Sequence, residues 1–140
     1  MRAFLASLAV AVGLLATPVP AEAQRATETF YVGDSIGAIM ADYGFLNFDH
    51  IDSVPGRPMA QGPQVIRKFD LQSGDALTIE LGTNNLTEGN YFVGIQAILT
   101  AVPDEVCITW VTPMNFWHPE AGAAFFGELA AAIALSDQCI

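Results

Sequence analysis

The stretch TETFYVGDSIGAIMADYG, residues 27–44, decides how the rest of the chain is read. Thr27 to Val32 is a short β-type run, and Ser35 to Tyr43 is a helix-length segment closed by Gly44. Between them Gly33 permits a sharp turn, so Ser35 falls in the first turn of the helix. A strand that passes through a glycine turn into a helix is the building unit of a parallel sheet covered by helices.

Moving outward, the same unit recurs. Phe48 to Val54 reads as a second strand, ended by Pro55-Gly56, and Pro58 and Pro63 suit the first turn of a helix running to about Phe69. Ser73-Gly74-Asp75 is a turn before a third strand, Ala76 to Leu81. Phe92, Ile95, Ile98, Leu99 and Val102 lie at helical spacing and form one apolar face. Pro103-Asp104-Glu105 leads to a fourth strand, Val106 to Thr112. Phe125, Leu129, Ala132 and Ile133 mark a last helix over about 120–135. After the turn Ser136-Asp137-Gln138, Cys139-Ile140 reads as the start of a fifth strand, and the domain is expected to continue beyond it.

Residues 1–23 have the pattern of an export signal. Met1-Arg2 is a short positive region, Ala3 to Ala16 carries no charge, and Ala21-Glu22-Ala23 is a small-x-small cleavage pattern. The apolar run is too short for a final membrane anchor. The expectation is an exported protein, periplasmic or extracellular, with one domain over 24–140. The sequence holds 5 basic and 15 acidic side chains, a formal net charge of −10. That balance speaks against nucleic acid or anionic lipid as partners, since both select basic surfaces. The 2 cysteines and 2 histidines have no ligand-type spacing, so neither a metal nor another cofactor is expected.

Ligands of an open parallel sheet bind beyond the carboxyl ends of the strands. The first three strands end in Gly33-Asp34-Ser35, in Val54-Pro55-Gly56-Arg57 and in Gly82-Thr83-Asn84-Asn85. Each group alone is an ordinary turn; in this order they are more specific. They resemble the blocks of the SGNH (GDSL-type) hydrolases, with Gly33-Asp34-Ser35 as the first block, Gly56 as the second and Gly82-Thr83-Asn84 as the third. The stretch from Asp52 to Gly62 is similar to SGNH domains that accompany acyltransferases of cell-wall or surface polysaccharides. The resemblance implies a three-layer α/β/α sandwich with a five-stranded parallel sheet. It implies Ser35 as nucleophile, with an oxyanion hole from Ser35 N–H, Gly56 N–H and the Asn84 amide.

A serine nucleophile needs a base. The family's Asp-x-x-His block does not occur in this sequence. His118, after the fourth strand, is either a base or a polar loop residue at the substrate; His50 lies inside the second strand, before its cleft end. Asp34 is a turn or cap residue at the site. Arg57 either holds an anionic substrate group or pairs with a carboxylate such as Asp52, and Asn85 either donates beside Asn84 or closes the turn. Trp110 is expected in the core and Trp117 on the loop, against a sugar or an acyl group. Cys107 and Cys139 each begin a strand, and the family's strand order makes them neighbours: a disulfide or two buried thiols.

The function expected is an ester hydrolase or O-acyltransferase for small, acetyl-type esters of carbohydrates or envelope glycans. The alternative is a binding module, or a fragment, without the catalytic histidine.

Overall fold

The structure is a computed structural model, and it describes residues 27–85, 91–112 and 119–136. The export signal over 1–23, Trp117, His118, Cys139 and the expected fifth strand lie outside the described residues, as does the side chain of Asn85. Four strands alternate with helices: β1 (Thr29–Gly33), α1 (Ser35–Asp42), β2 (His50–Ser53), α2 (Gly62–Ile66), β3 (Ala76–Glu80), α3 (Tyr91–Leu99), β4 (Cys107–Trp110) and α4 (Pro119–Ile133). The sheet is parallel throughout, in the order β2-β1-β3-β4. The α/β fold expected from the 27–44 stretch is the one observed.

Register explains which face is the core. Phe30 pairs with Leu77 and Leu77 with Ile108, while Val32 pairs with Ile79 and Ile79 with Trp110. Alternation along each strand puts these two rows on one face. That face packs with Ile66 of α2, Ile95, Ile98 and Leu99 of α3, and Phe125 and Leu129 of α4 in one continuous core. Phe125 is fully buried, edge-on to Tyr91 with ring centroids 5.3 Å apart and 6.2 Å from Trp110. Trp110 packs on this core as expected, and its indole N–H donates to Leu81 O at 3.3 Å.

The opposite face carries Tyr31, Ser53, Thr78, Gly33 and Glu80, related by the register pairs Tyr31–Thr78, Gly33–Ser53 and Gly33–Glu80. Helix α1 lies over it at Gly37. A Cβ there would meet the Tyr31 ring at 2.6 Å and Ser53 Oγ at 2.7 Å, so only glycine allows the helix this close.

Three expectations need correction. The helix expected over 58–69 is a 3₁₀ turn, Met59–Gln61, followed by the single short α2, because Pro63 fixes a new helix start within the segment. The strands β2 and β4 are shorter than read. On α3 the apolar face is set by Tyr91, Ile95, Ile98 and Leu99; Phe92 is 36% exposed, and its N–H donates to Glu128 of α4 at 2.5 Å. Helical spacing alone could not tell Tyr91 from Phe92.

Candidate active site

The site is assembled where β1, β2 and β3 end. Gly33 is the last residue of β1, Asp34 caps α1, and Ser35 is its first residue. Asp34 is fully buried, and each carboxylate oxygen has its own task. Oδ1 accepts Ile36 N–H at 3.1 Å, the bond of an ordinary N-cap, while Oδ2 accepts the Asn84 amide at 3.0 Å. Asn84, in a 3₁₀ turn over Thr83–Asn85, also donates to Arg57 O at 3.2 Å. Both contacts run from Nδ2, so the amide is anchored by the first and second strand ends together.

Gly56 enters through a tight turn. Arg57 N–H donates to Val54 O at 3.2 Å, and Gly56 has φ +75°. Proline followed by a positive-φ glycine is the sequence of a type II turn, and its closing bond leaves Gly56 N–H outside. Arg57 itself points inward. It is 6% exposed, and its Nη1 donates to Gly33 O at 3.0 Å and to Asp52 O at 2.6 Å, while Nη2 pairs with the Asp52 carboxylate. It ties the end of β1 to that of β2.

Ser35 is partly exposed, and no acceptor or donor engages its hydroxyl among the described residues. Its surroundings explain which donors remain. Ala38 N–H closes the helix onto Asp34 O at 3.0 Å. Ile36 N–H goes to Asp34. Both Asp34 N–H and Gly37 N–H donate to Glu80 Oε2, each at 3.1 Å. Ser35 N–H is left without an acceptor among the described residues.

Glu80 was not singled out from the sequence. It is the last residue of β3, 4% exposed, and burial, followed by the charge of Asp34, pushes its carboxyl up to about 7. Tyr31, beside it, is pushed up to about 12 by burial and then by the charges of Glu80 and Asp34. Ser53 Oγ is buried there without a hydrogen-bond partner. A signal was present: an acid closing the strand Ala76–Glu80, inside the sheet and directly before Leu81-Gly82-Thr83-Asn84, is unusual enough to ask what holds it.

His50 stands at the other end of the sheet. It opens β2, stacks on Phe30 with centroids 4.6 Å apart, and pairs with Glu28 at 3.0 Å. Three residues of strand, about 10 Å, separate it from Ser53 at the site. No group of three or more metal-type side chains occurs among the described residues, nor does a helix long and apolar enough to cross a membrane. Cys107 is disulfide-bonded. Cys139 is the one other cysteine of the sequence.

No family model matches the sequence, and no curated protein matches it. Solved structures do. The C-terminal catalytic domain of peptidoglycan O-acetyltransferase A (OatA) from Streptococcus pneumoniae, bearing a methylsulfonyl adduct, superposes with a TM-score of 0.58 and 21% identity, over 78% of this chain and 63% of that one. A variant of the esterase AlinE4 gives 0.55 and 18%, over 81% of this chain and 74% of that one. TesA gives 0.52 and 19%, over 79% and 74%. The chain thus spans less than two thirds of the OatA domain. At these identities the likeness is one of architecture: this chain has the parallel α/β fold of these solved structures.

Proposed function

We propose that this chain is an exported serine ester hydrolase or O-acyltransferase acting on small, acetyl-type esters of carbohydrates or envelope glycans. One observation carries the reading. Among the described residues nothing engages the hydroxyl or the N–H of Ser35 at this helix start, and the Gly56 turn and the Asn84 amide lie at the adjoining strand ends. In this mechanism Ser35 Oγ attacks the ester carbonyl, the alcohol leaves, and the acyl group rests on Ser35 until water or a sugar hydroxyl takes it. Negative charge on the carbonyl oxygen falls to Ser35 N–H and Gly56 N–H, and the Asn84 amide joins them by giving up one of its two bonds, to Asp34 or to Arg57 O; one such donor is worth roughly 3–4 kcal/mol of barrier in comparable sites. The acetyl and glycan parts lean on the named activity of the OatA domain and on the short loops around the site. Asp34 and Arg57 serve this site from behind, while Asn85, Trp117 and His118 are proposed on its substrate side.

The test is labelling of the full-length gene product by a fluorophosphonate, read by intact mass. Labelling abolished by Ser35→Ala supports the reading; a wild-type protein that is folded and never labelled sinks it.

The position of His50 favours a second reading, a glycan- or acyl-binding module without turnover, because the described residues bring no base to Ser35. It predicts binding of an O-acetylated oligosaccharide with no acetate released.

A further inference from the structure

Two buried carboxylates meet at the start of α1, and the capping role of Asp34 accounts for only one of them. Glu80 comes from a different strand and reaches under the helix because its register partner is Gly33, where a side chain would stand in its way. A Cβ on Gly33 would lie 2.9 Å from Glu80 Oε2. Oε2 then collects the N–H groups on either side of Ser35, those of Asp34 and Gly37, each at 3.1 Å. We infer that Glu80 is a positioning residue: its carboxylate occupies the flanking donors of the Ser35 turn, so that Ser35 N–H alone is presented to a bound acyl group. This assignment deepens the proposed function and rests on it for the word acyl.

The geometry gives the carboxylate two separate effects. It pins the 33–34 peptide before the Ser35 turn and the 36–37 peptide after it, and so braces the turn that carries Ser35 N–H from both ends. It also removes two competing donors that would otherwise draw a negatively charged oxygen deeper under the helix. Asp34 cannot do this, since its oxygens are taken by Ile36 and Asn84.

The surroundings make the clamp sensitive to protonation. The groups facing Glu80 are Tyr31 on β1, Asp34 at the cap and Ser53 from β2, which brings a neutral hydroxyl. Helix α1 brings no acidic side chain in its first turn and no basic one in its last. Arg57, the nearby cation, is directed to Asp52 and Gly33 O. Glu80 therefore has no cationic partner among the described residues and titrates near neutrality. A proton on Glu80 removes the negative charge that strengthens both N–H bonds, and the neighbouring Asp34 carboxyl shares that proton. One or both N–H bonds then lengthen. The Ser35 turn is set above neutral pH and slack below it.

The experiment is a pH titration of the ¹⁵N-labelled full chain by NMR, from pH 5 to 9. The Asp34 and Gly37 amides are expected to shift together with one midpoint near 7, and Glu80→Gln is expected to remove that titration. Flat amide shifts in the folded wild type overturn the assignment, and so does a titration that survives Glu80→Gln. Should Glu80→Gln not fold, the carboxyl ¹³C shift of Glu80 in the wild type decides the same question. Fluorophosphonate labelling of Ser35, followed in parallel, is expected to slow about tenfold in Glu80→Gln and to lose the rise through neutral pH. Titrating amides without any labelling would leave the clamp standing and remove the proposed function. Labelling with flat amides would do the reverse.

Discussion

Asn84 and Asp34 are joined across the site, the Asn84 amide donating to a fully buried Asp34 carboxylate at 3.0 Å. The third strand end is thereby locked to the first, and the two residues are separable by experiment. Asn84 is itself exposed, but Asn84→Ala leaves the buried Asp34 Oδ2 without its donor, so a loss of only about 1 kcal/mol is expected. If its amide stabilises an oxyanion, the same change slows labelling of Ser35 by 10²- to 10³-fold, the range seen when one such donor is lost. Asp34→Ala removes the cap and leaves both Ile36 N–H and the Asn84 amide without their carboxylate. It is expected to lower stability by about 2 kcal/mol as well as slowing labelling. Urea melts of both variants beside labelling rates check the contrast; equal stability losses would break it.

The stability of the fold should fall as pH rises through neutrality, and Glu80 is the cause. Its folded-state pKa is raised from 4.5 to about 7, mainly by burial. Protonation is thus favoured by folding. The contribution is complete below pH 4.5 and lost as pH climbs through 7. A shift of that size corresponds to a loss on the order of 3 kcal/mol. Asp49, lowered by its hydrogen bonds from Thr29, acts in the opposite sense, but below its ordinary value of 3.8, so the two windows do not overlap. Thermal melts between pH 4.5 and 8 are expected to slope downward in the wild type and to be flatter in Glu80→Gln. A flat wild-type profile counts against the shift. The form of Glu80 that clamps the Ser35 turn is then the less stable one, a common arrangement at functional sites.

How much of this was legible beforehand follows from what each kind of signal encodes. The strand–glycine–helix unit at 27–44 is local, and it set the order of elements and the parallel sheet correctly. The turn at Pro55-Gly56 was readable for the same reason. Arg57 was not: its sequence neighbourhood allowed a substrate contact or Asp52, and only the packing of β1 against β2 directs it inward onto Gly33 O. Glu80 was missed because its partners, Asp34 and Gly37, lie 46 and 43 residues away. No local periodicity carries a contact of that kind. Tyr91 and Phe92 were indistinguishable because both are aromatic and adjacent, and tertiary packing with Phe125 chose between them.

Two glycines in helices should respond to alanine with opposite signs. At Gly37 an added Cβ would meet the Tyr31 ring at 2.6 Å and Ser53 Oγ at 2.7 Å, under the site and with little room to move. Gly37→Ala is expected to destabilise by about 1–3 kcal/mol and to displace the start of α1. At Gly127, inside α4, nothing lies within 4 Å of an added Cβ. Gly127→Ala is expected to stabilise by about 0.5–1 kcal/mol, through helix propensity alone, with Ser35 labelling unchanged. Chemical melts of both variants test this, and a stabilising Gly37→Ala would contradict the packing of α1 on β1 and β2.

Arg57→Lys separates the structural role of Arg57 from a substrate contact. The guanidinium serves Gly33 O, Asp52 O and the Asp52 carboxylate at once, from a position 6% exposed. An ammonium keeps the charge but not the planar fork, so it can satisfy only part of that set. The Asp52 side chain is about one-third exposed, which tempers the loss; a destabilisation of about 1–2 kcal/mol is expected. Since Arg57 O also receives the Asn84 amide, a shift of this backbone should slow Ser35 labelling severalfold by any probe, charged or neutral. A residue that held an anionic substrate group would instead slow an anionic probe selectively. Labelling rates with one neutral and one anionic fluorophosphonate distinguish the two, and a selective loss with the anionic probe would return Arg57 to the substrate side of the site.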